Sequence, residues 1–413
     1  MSKKSQQSEI NIEQLQSVLL HTINTNLELQ AKGIMPIAMN VIGDAGLGKT
    51  SVIEQVGKSL GYKPENIVKL NLATLEEIGD LIGIPVTEYK MVKRIESQEE
   101  GGKARNQIVW VKEAAIESYN GLGFKTSTES RMGYSIPEWI AGKSGNGILI
   151  LDDYTRANQR FTQAVMELID RQEYATWKLP QGWTIFLSSN PDDGMYNVTD
   201  QDPAQQSRYM NVNLKFDAEI WAKWAEKSGI DSRCINFTLM NKEIMSTEGK
   251  HVNARSMTKF FNIISSIKDF NTDESLELIQ LLGEGSLGPE VTIQFTAFIH
   301  NKMDKLITTE ELIDDKTKWD KIEGKLEKLI NGSGTYRGDI AFVITTRLMN
   351  HIAFNMKDDE FTDALKDRME EVITSPVLGG DLKFVLGRKL INMEGGKFTQ
   401  LLFNDYVVDN ILE

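Results

Sequence analysis

The stretch "GDAGLGKT", Gly43 to Thr50, constrains this chain more than any other segment. It fits the pattern G-x-x-x-x-G-K-[ST] in full. The apolar run "GIMPIAMNVIG" (33–43) ahead of it stops at a glycine and predicts a buried strand. "SVIEQVGKSLG" (51–61) behind it predicts a helix with Gly61 as its C-cap. A glycine-rich turn that arose by chance would not carry both flanks. Between strand and helix, the glycines let the backbone curl so that N–H groups point inward at an anion. The helix presents its positive N-terminus to the same anion. The pattern predicts a phosphate cradle of Gly43, Asp44, Ala45, Gly46, Leu47, Gly48, Lys49, Thr50 and Ser51. Lys49 is expected to reach the β- and γ-phosphates of a nucleotide, and Thr50 to coordinate Mg2+.

The segments around the cradle keep a strand–helix rhythm. "NIVKLNLAT" (66–74), "NGILILDD" (146–153), "GWTIFLSSN" (182–190) and "YMNVNLKF" (209–216) read as further strands. The continuous apolar character of 146–153 suits a central strand of a parallel sheet. Ile12, Leu15, Leu19 and Ile23 recur at helical spacing over 12–30, and "RFTQAVMELIDRQ" (160–172) reads as a helix. Together these predict an α/β, doubly wound domain. Two segments break the rhythm: a polar, Gly-rich insert at 86–137, and "EYATWKLPQGW" (173–183), which reads as a hairpin turning at Pro180–Gly182. From about 217 onward the pattern is helical, with helices predicted at 217–229, 256–270, 291–303, 309–331, 338–356 and 359–373. The expected organisation is a tail and helix (1–32), a nucleotide-binding core (33–216), a helical lid (217–300) and a helical extension (301–413).

A phosphate cradle needs an acidic strand end beside it, to hold the metal and to orient the attacking water. "LILDD" (149–153) supplies one. Asp152 is expected to bind Mg2+ and Asp153 to polarise the water. Two acids at a strand end are usually just solvated; with the cradle upstream, the functional reading prevails. "SSNP" (188–191) ends the next strand, so Asn190 is a candidate to position the water or touch the γ-phosphate. Arg208, just before the fifth strand, and Arg255, at the start of a helix, are lone arginines of the kind usually found on surfaces. Their order along the chain gives them interest.

A chain of 413 residues is too long for one hydrophobic core. Its net charge of −13 argues against a broad, non-specific grip on nucleic acid, which depends on neutralising phosphates with Lys and Arg. Cys234 is the only cysteine, which excludes an internal disulfide and a thiolate metal cluster. His21, His251, His300 and His351 lie too far apart to suggest a ligand pair. The polar start "MSKKSQQSEINIEQ" lacks a signal-peptide core, and no apolar run is long enough to cross a bilayer, so a cytoplasmic protein without a membrane partner is expected.

Taken together, these stretches resemble an AAA+ ATPase of the MoxR-like group, over roughly residues 30–300. The pieces run in the family's order: "GDAGLGKT" as Walker A, "ILILDDYTRAN" as Walker B, "SSNP" as sensor 1, "DPAQQSRY" as the arginine-finger segment and "VNARSMTKF" as sensor 2. The resemblance implies a P-loop AAA+ parallel sheet of order 5-1-4-3-2 flanked by helices, then an α-helical lid and a helical C-terminal region. It implies ATP and Mg2+ as cofactors. Arg208 would reach into the neighbouring subunit's ATP, and Arg255 would contact the γ-phosphate in its own subunit. Such a site is complete only between subunits, so a homo-oligomeric ring is implied, a hexamer. The client would be a protein, with a von Willebrand factor A domain protein a candidate. The insert and hairpin would face the pore or rim, with Trp110 and Tyr134 as candidate partner contacts or, equally, local packing. Arg156 would brace the subunit interface or form a surface salt bridge. One departure stands out: Asp153 occupies the position usually held by Glu, and its shorter side chain predicts slow hydrolysis. Two alternatives remain: a nucleic-acid motor or clamp-loader-like ATPase, and an ATP-gated interaction protein with little hydrolysis. A kinase is disfavoured, since single-subunit kinases need no arginine supplied in trans.

Overall fold

A computed structural model of the protein describes residues 8–95, 105–199, 201–245, 252–300, 306–332, 334–354, 356–393 and 395–409. His251 and much of "SQEEGGKARNQ" lie outside them. The chain divides into two compact units, one of residues 1–44 and 48–214, the other of 45–47 and 215–413. The strands are β1 (Glu9–Ile10), β2 (Ala38–Ile42), β3 (Ile67–Asn71), β4 (Pro85–Ile95), β5 (Arg105–Lys112), β6 (Lys125–Tyr134), β7 (Gly147–Asp152), β8 (Glu173–Tyr174), β9 (Trp177–Lys178), β10 (Trp183–Ser189) and β11 (Tyr209–Leu214).

Six of these form one sheet in the order β1-β11-β2-β10-β7-β3. Every pairing in it is parallel. Leaving aside the two-residue β1, the five main strands run 5-1-4-3-2 by chain order, as expected. Parallel strands need crossover connections that place helices on the faces, so central strands are buried on both sides. Accordingly every residue of β7 and of β10 is buried. On one face Leu149, Leu151 and Leu187 form a single cluster with Val165 and Leu168 of the helix Gln159–Arg171.

The expected strand at 33–43 is shorter. Only Ala38–Ile42 pairs. Ile34, Met35 and Ile37 are exposed, and Pro36 between them has no N–H to give a ladder. The insert folds as an antiparallel sheet of order β5-β4-β6 around Met91, Val111 and Phe124. The hairpin exists but turns elsewhere. β8 pairs with β9 across Ala175 and Thr176, with Ala175 at φ 46 in the left-handed region. Pro180–Gly182 is the run back into β10 instead.

The second unit is helical, and a single hydrophobic cluster joins Trp221 to Val407. Phe295 sits among Phe237 and Phe260 in edge-to-face contacts at 4.9 and 5.3 Å. The helix expected at 309–331 is two, Thr309–Ile313 and Trp319–Ile330. Asp314 explains the break. Its carboxylate accepts from the Thr317 hydroxyl at 2.6 Å and the Lys316 N–H at 3.1 Å, which closes a turn. Arg368 then donates to the Asp314 and Thr317 carbonyls at 3.0 and 2.6 Å. The helix expected at 256–270 runs Ala254–Ile264. Among the described residues, no helix is long and apolar enough to cross a membrane.

Candidate nucleotide site

The cradle leaves β2 at Gly43, whose N–H still bonds to the Ser189 carbonyl at 3.2 Å. Gly46 and Gly48 hold φ of 84° and 83°. A side chain at Gly48 would find space, so the left-handed backbone is what requires glycine there. Gly48 caps the helix Lys49–Ser59 without any side-chain hydrogen bond. The first N–H groups of that helix are thus served by no capping side chain, the arrangement that suits an anion.

Lys49 is buried in the mouth of the loop. Its ammonium donates to the carbonyls of Gly43 and Asp44 at 2.6 and 2.9 Å and to Asn190 Oδ1 at 3.3 Å. The Asn190 N–H in turn donates to Thr155 Oγ1 at 3.3 Å. The parallel register explains this meeting, because β10 lies directly beside β2 and Ser189 faces Ile42. One residue further along each strand, sensor-like asparagine and cradle come together.

Asp152 ends β7 and is 8% exposed. The Thr50 hydroxyl donates to its Oδ1 at 2.8 Å, and Lys69 Nζ lies 2.9 Å from its Oδ2. Burial alone would raise the Asp152 pKa; hydrogen bonds from Lys69, Thr50 and Ser188 outweigh it and hold the carboxyl below its ordinary range. These residues suit Mg2+. The Thr50 hydroxyl donates its hydrogen bond to Asp152, which leaves its oxygen lone pairs available, and Asp152 is held ionised. Among the described residues no group of three or more His, Cys, Asp or Glu could hold a metal. A hydroxyl plus one carboxylate is nevertheless the usual protein share for Mg2+, which keeps waters and takes phosphate oxygens for the rest.

Asp153 is in the left-handed region at φ 51, immediately after the strand. The residue is partly buried. Arg156 is exposed on the following turn, where its N–H bonds to the Asp153 carbonyl at 2.9 Å. Arg208 follows the short helix Pro203–Gln206 and donates to the Ala204 carbonyl, while its Nε is buried without a partner. Tyr209 faces Ala38, so Arg208 stands where the strands begin, whereas Gly43 leaves where they end. At 3.3 Å per residue the two edges are about 15 Å apart. Arg208 therefore does not meet the cradle of its own chain. Arg255 is exposed on the first turn of Ala254–Ile264 in the second unit. Tyr134 packs locally: it lies edge-on to Tyr174 at 5.5 Å, and its N–H donates to Thr176 Oγ1 at 2.8 Å. Trp110 carries the Arg131 guanidinium over its ring at 4.6 Å.

The structure thus brings together Lys49, Thr50, Asp152 and Asn190. It adds residues that sequence reasoning missed: Lys69, Ser188, Thr155, and Tyr196, whose hydroxyl donates to Asp44 Oδ1 at 3.2 Å. Only Lys69 left a trace in the sequence, as the one charge inside the apolar stretch "NIVKLNL".

No protein-family model matches the chain, and no curated protein does. Among solved structures it is similar to a mutant form of RuvB from Thermotoga maritima, at 12% identity, covering 80% of this chain and 86% of that one, with a TM-score of 0.35. It is similar to NtrX from Brucella abortus in complex with ADP, at 14% identity, covering 86% of this chain and 68% of that one, TM-score 0.36. A DNA polymerase III gamma subunit-related protein from Thermotoga maritima gives 14% identity, 95% and 97% coverage and a TM-score of 0.29. At such values function is taken from the residues themselves.

Proposed function

We propose that this chain is an AAA+ ATPase of MoxR type, which binds and hydrolyses ATP and works as a ring to remodel a protein partner. The observation that carries the reading is the 2.8 Å hydrogen bond from Thr50 to Asp152, made by two residues 102 positions apart in sequence, beside Lys49. Sheet order 5-1-4-3-2 supports it, because that order places the cradle strand between the asparagine strand and the arginine strand.

Each residue then has a task. The loop N–H groups and Lys49 bind the β- and γ-phosphates. Thr50 and Asp152 would hold Mg2+, which when bound would supply positive charge against the phosphates. Asn190, already 3.3 Å from the lysine, orients the γ-phosphate or the attacking water. Asp153 polarises that water. Arg208 stabilises the developing charge in the neighbouring subunit's site, and Arg255 contacts the γ-phosphate of its own. The ring is a hexamer, the client a protein, and a von Willebrand factor A domain protein is its candidate. ATP turnover measured with particle size in ATP, ADP and no nucleotide tests the reading. Turnover lost in Lys49→Ala, and in Arg208→Ala without loss of nucleotide binding, supports it; a fully active monomer refutes the trans arginine and the ring.

A second reading, a nucleic-acid-associated motor, is favoured by one observation. By register, one face of the insert sheet carries Lys90, Arg94, Lys112, Lys125 and Arg131 against Glu88 and Glu129. Turnover stimulated by single-stranded nucleic acid, and lost with Lys112→Glu/Lys125→Glu, would favour it over a protein client.

A further inference from the structure

We infer that Lys69 is the resident counter-ion of the metal aspartate, competes with the divalent cation for Asp152, and so sets the metal requirement of the site. The inference rests on the nucleotide-site reading above and deepens it. Lys69 lies in the middle of β3, the edge strand beside β7, where Lys69 faces Ile150 and Asn71 faces Asp152. Side chains alternate along a strand, so Lys69, Ile150 and Asp152 share one face. The diagonal neighbour across two strands is within reach of a long side chain. The ammonium accordingly ends 2.9 Å from Asp152 Oδ2.

The two carboxylate oxygens are divided. Oδ1 is occupied by the Thr50 hydroxyl, a bond that can persist while Thr50 offers its lone pairs to a metal. Oδ2 is occupied by Lys69. Ser188 donates to the same carboxylate, and Oδ2 is the oxygen that the lysine holds against a metal or a water on it. A monovalent ammonium and a divalent cation repel one another at such range, so a metal on Oδ2 weakens the lysine's hold on it. Lys69 is the group able to leave. Its side chain is 44% exposed against 12% for Asp152, and four methylenes let it swing to solvent. With the lysine in place the aspartate stays aimed and paired without metal. With metal bound the lysine is displaced. Lys69 is thus a positioning residue that opposes metal entry and protects the empty site.

The test uses the full chain and Mn2+ as the probe, read by electron paramagnetic resonance with ADP bound. A fluorescent ADP analogue in EDTA reports separately that the phosphate site binds nucleotide. Lys69→Met should lower the Mn2+ dissociation constant about five-fold, the size of one half-exposed ion pair. Lys69→Arg should restore the wild-type value. Unchanged or weaker Mn2+ binding in Lys69→Met, with ADP still bound in EDTA, overturns the role of Lys69 alone. A wild-type chain that binds no nucleotide in EDTA or Mn2+ overturns the nucleotide-site reading, and this inference with it.

Discussion

The parallel sheet and the insert sheet lie in one unit but obey different rules. In β7 and β10 every residue is buried, polar ones included. In β4 and β5 exposure varies along the strand, and only Met91 and Val111 are buried. The insert's own cluster is three buried residues, Met91, Val111 and Phe124. The difference lies in where function can be placed. The parallel sheet holds its reactive side chains at the ends of strands that are locked on both faces, which fixes their geometry. The insert has one open face with ionic pairs such as Lys90–Glu129 at 2.8 Å, which cost little to change. A side chain at the end of a buried strand is therefore held in place, and one on the open face of the insert is free to vary.

The contrast can be broken most directly at the strand ends. Asp152→Ala should lower ATP turnover at least about a thousand-fold in a steady-state assay, the scale of a lost charge-stabilising group. Trp110→Ala in the insert should leave basal turnover within about two-fold, since side chains on open surfaces rarely reach the chemistry. Equal losses would erase the distinction. Next come the cores. Leu149→Ala should destabilise the whole first unit by about 2–5 kcal/mol in denaturant melts. Met91→Ala should instead raise hydrogen exchange within the insert and leave the main transition nearly unmoved, as expected of a separate local unit. A smaller effect concerns acid. Folding lowers the Asp152 pKa, so its contribution is present above the ordinary carboxylate range near pH 4 and is lost as pH falls through the lowered folded value. Asp152→Asn should flatten the fall of stability with acid in that window, measured by thermal melts from pH 6 to about pH 3. The smallest effect on stability is expected at Asp153. Asp153→Asn should keep the melt unchanged, because asparagine also tolerates the left-handed region, while lowering turnover about ten- to a hundred-fold.

Much of the first sheet was legible because its signals are local. A continuous apolar run, a glycine loop and a helix start lie side by side in 33–61, and they name the fold class and Lys49 and Thr50 together. Strand ends moved by a few residues, where Pro36 and the exposed Ile34 and Met35 ended the ladder early. The insert was harder. Its strands alternate only weakly, and their pairing across 85–134 is fixed by long-range register rather than by any stretch of sequence. Asp314 turned one predicted helix into two through a side-chain turn that periodicity does not register. Around the site, the contacts of Lys69, Ser188 and Thr155 depend on which strands become neighbours, and no single segment carries that. Arg208 was identified only by its order in the chain, and its position where the strands begin emerges from the register of β11 on β2.

The left-handed turn at Asp153 has a meaning for which sequences can live at this position. Among residues with a side chain, aspartate and asparagine enter that region most readily, and others pay roughly 1 kcal/mol or more. A glutamate here would gain a methylene of reach and lose conformational ease at the same atom. The acidic pair of this chain is then not a truncated version of Asp-Glu. Backbone shape and side-chain length act together at this position, and a glutamate at 153 would favour a different path for the chain between β7 and Tyr154.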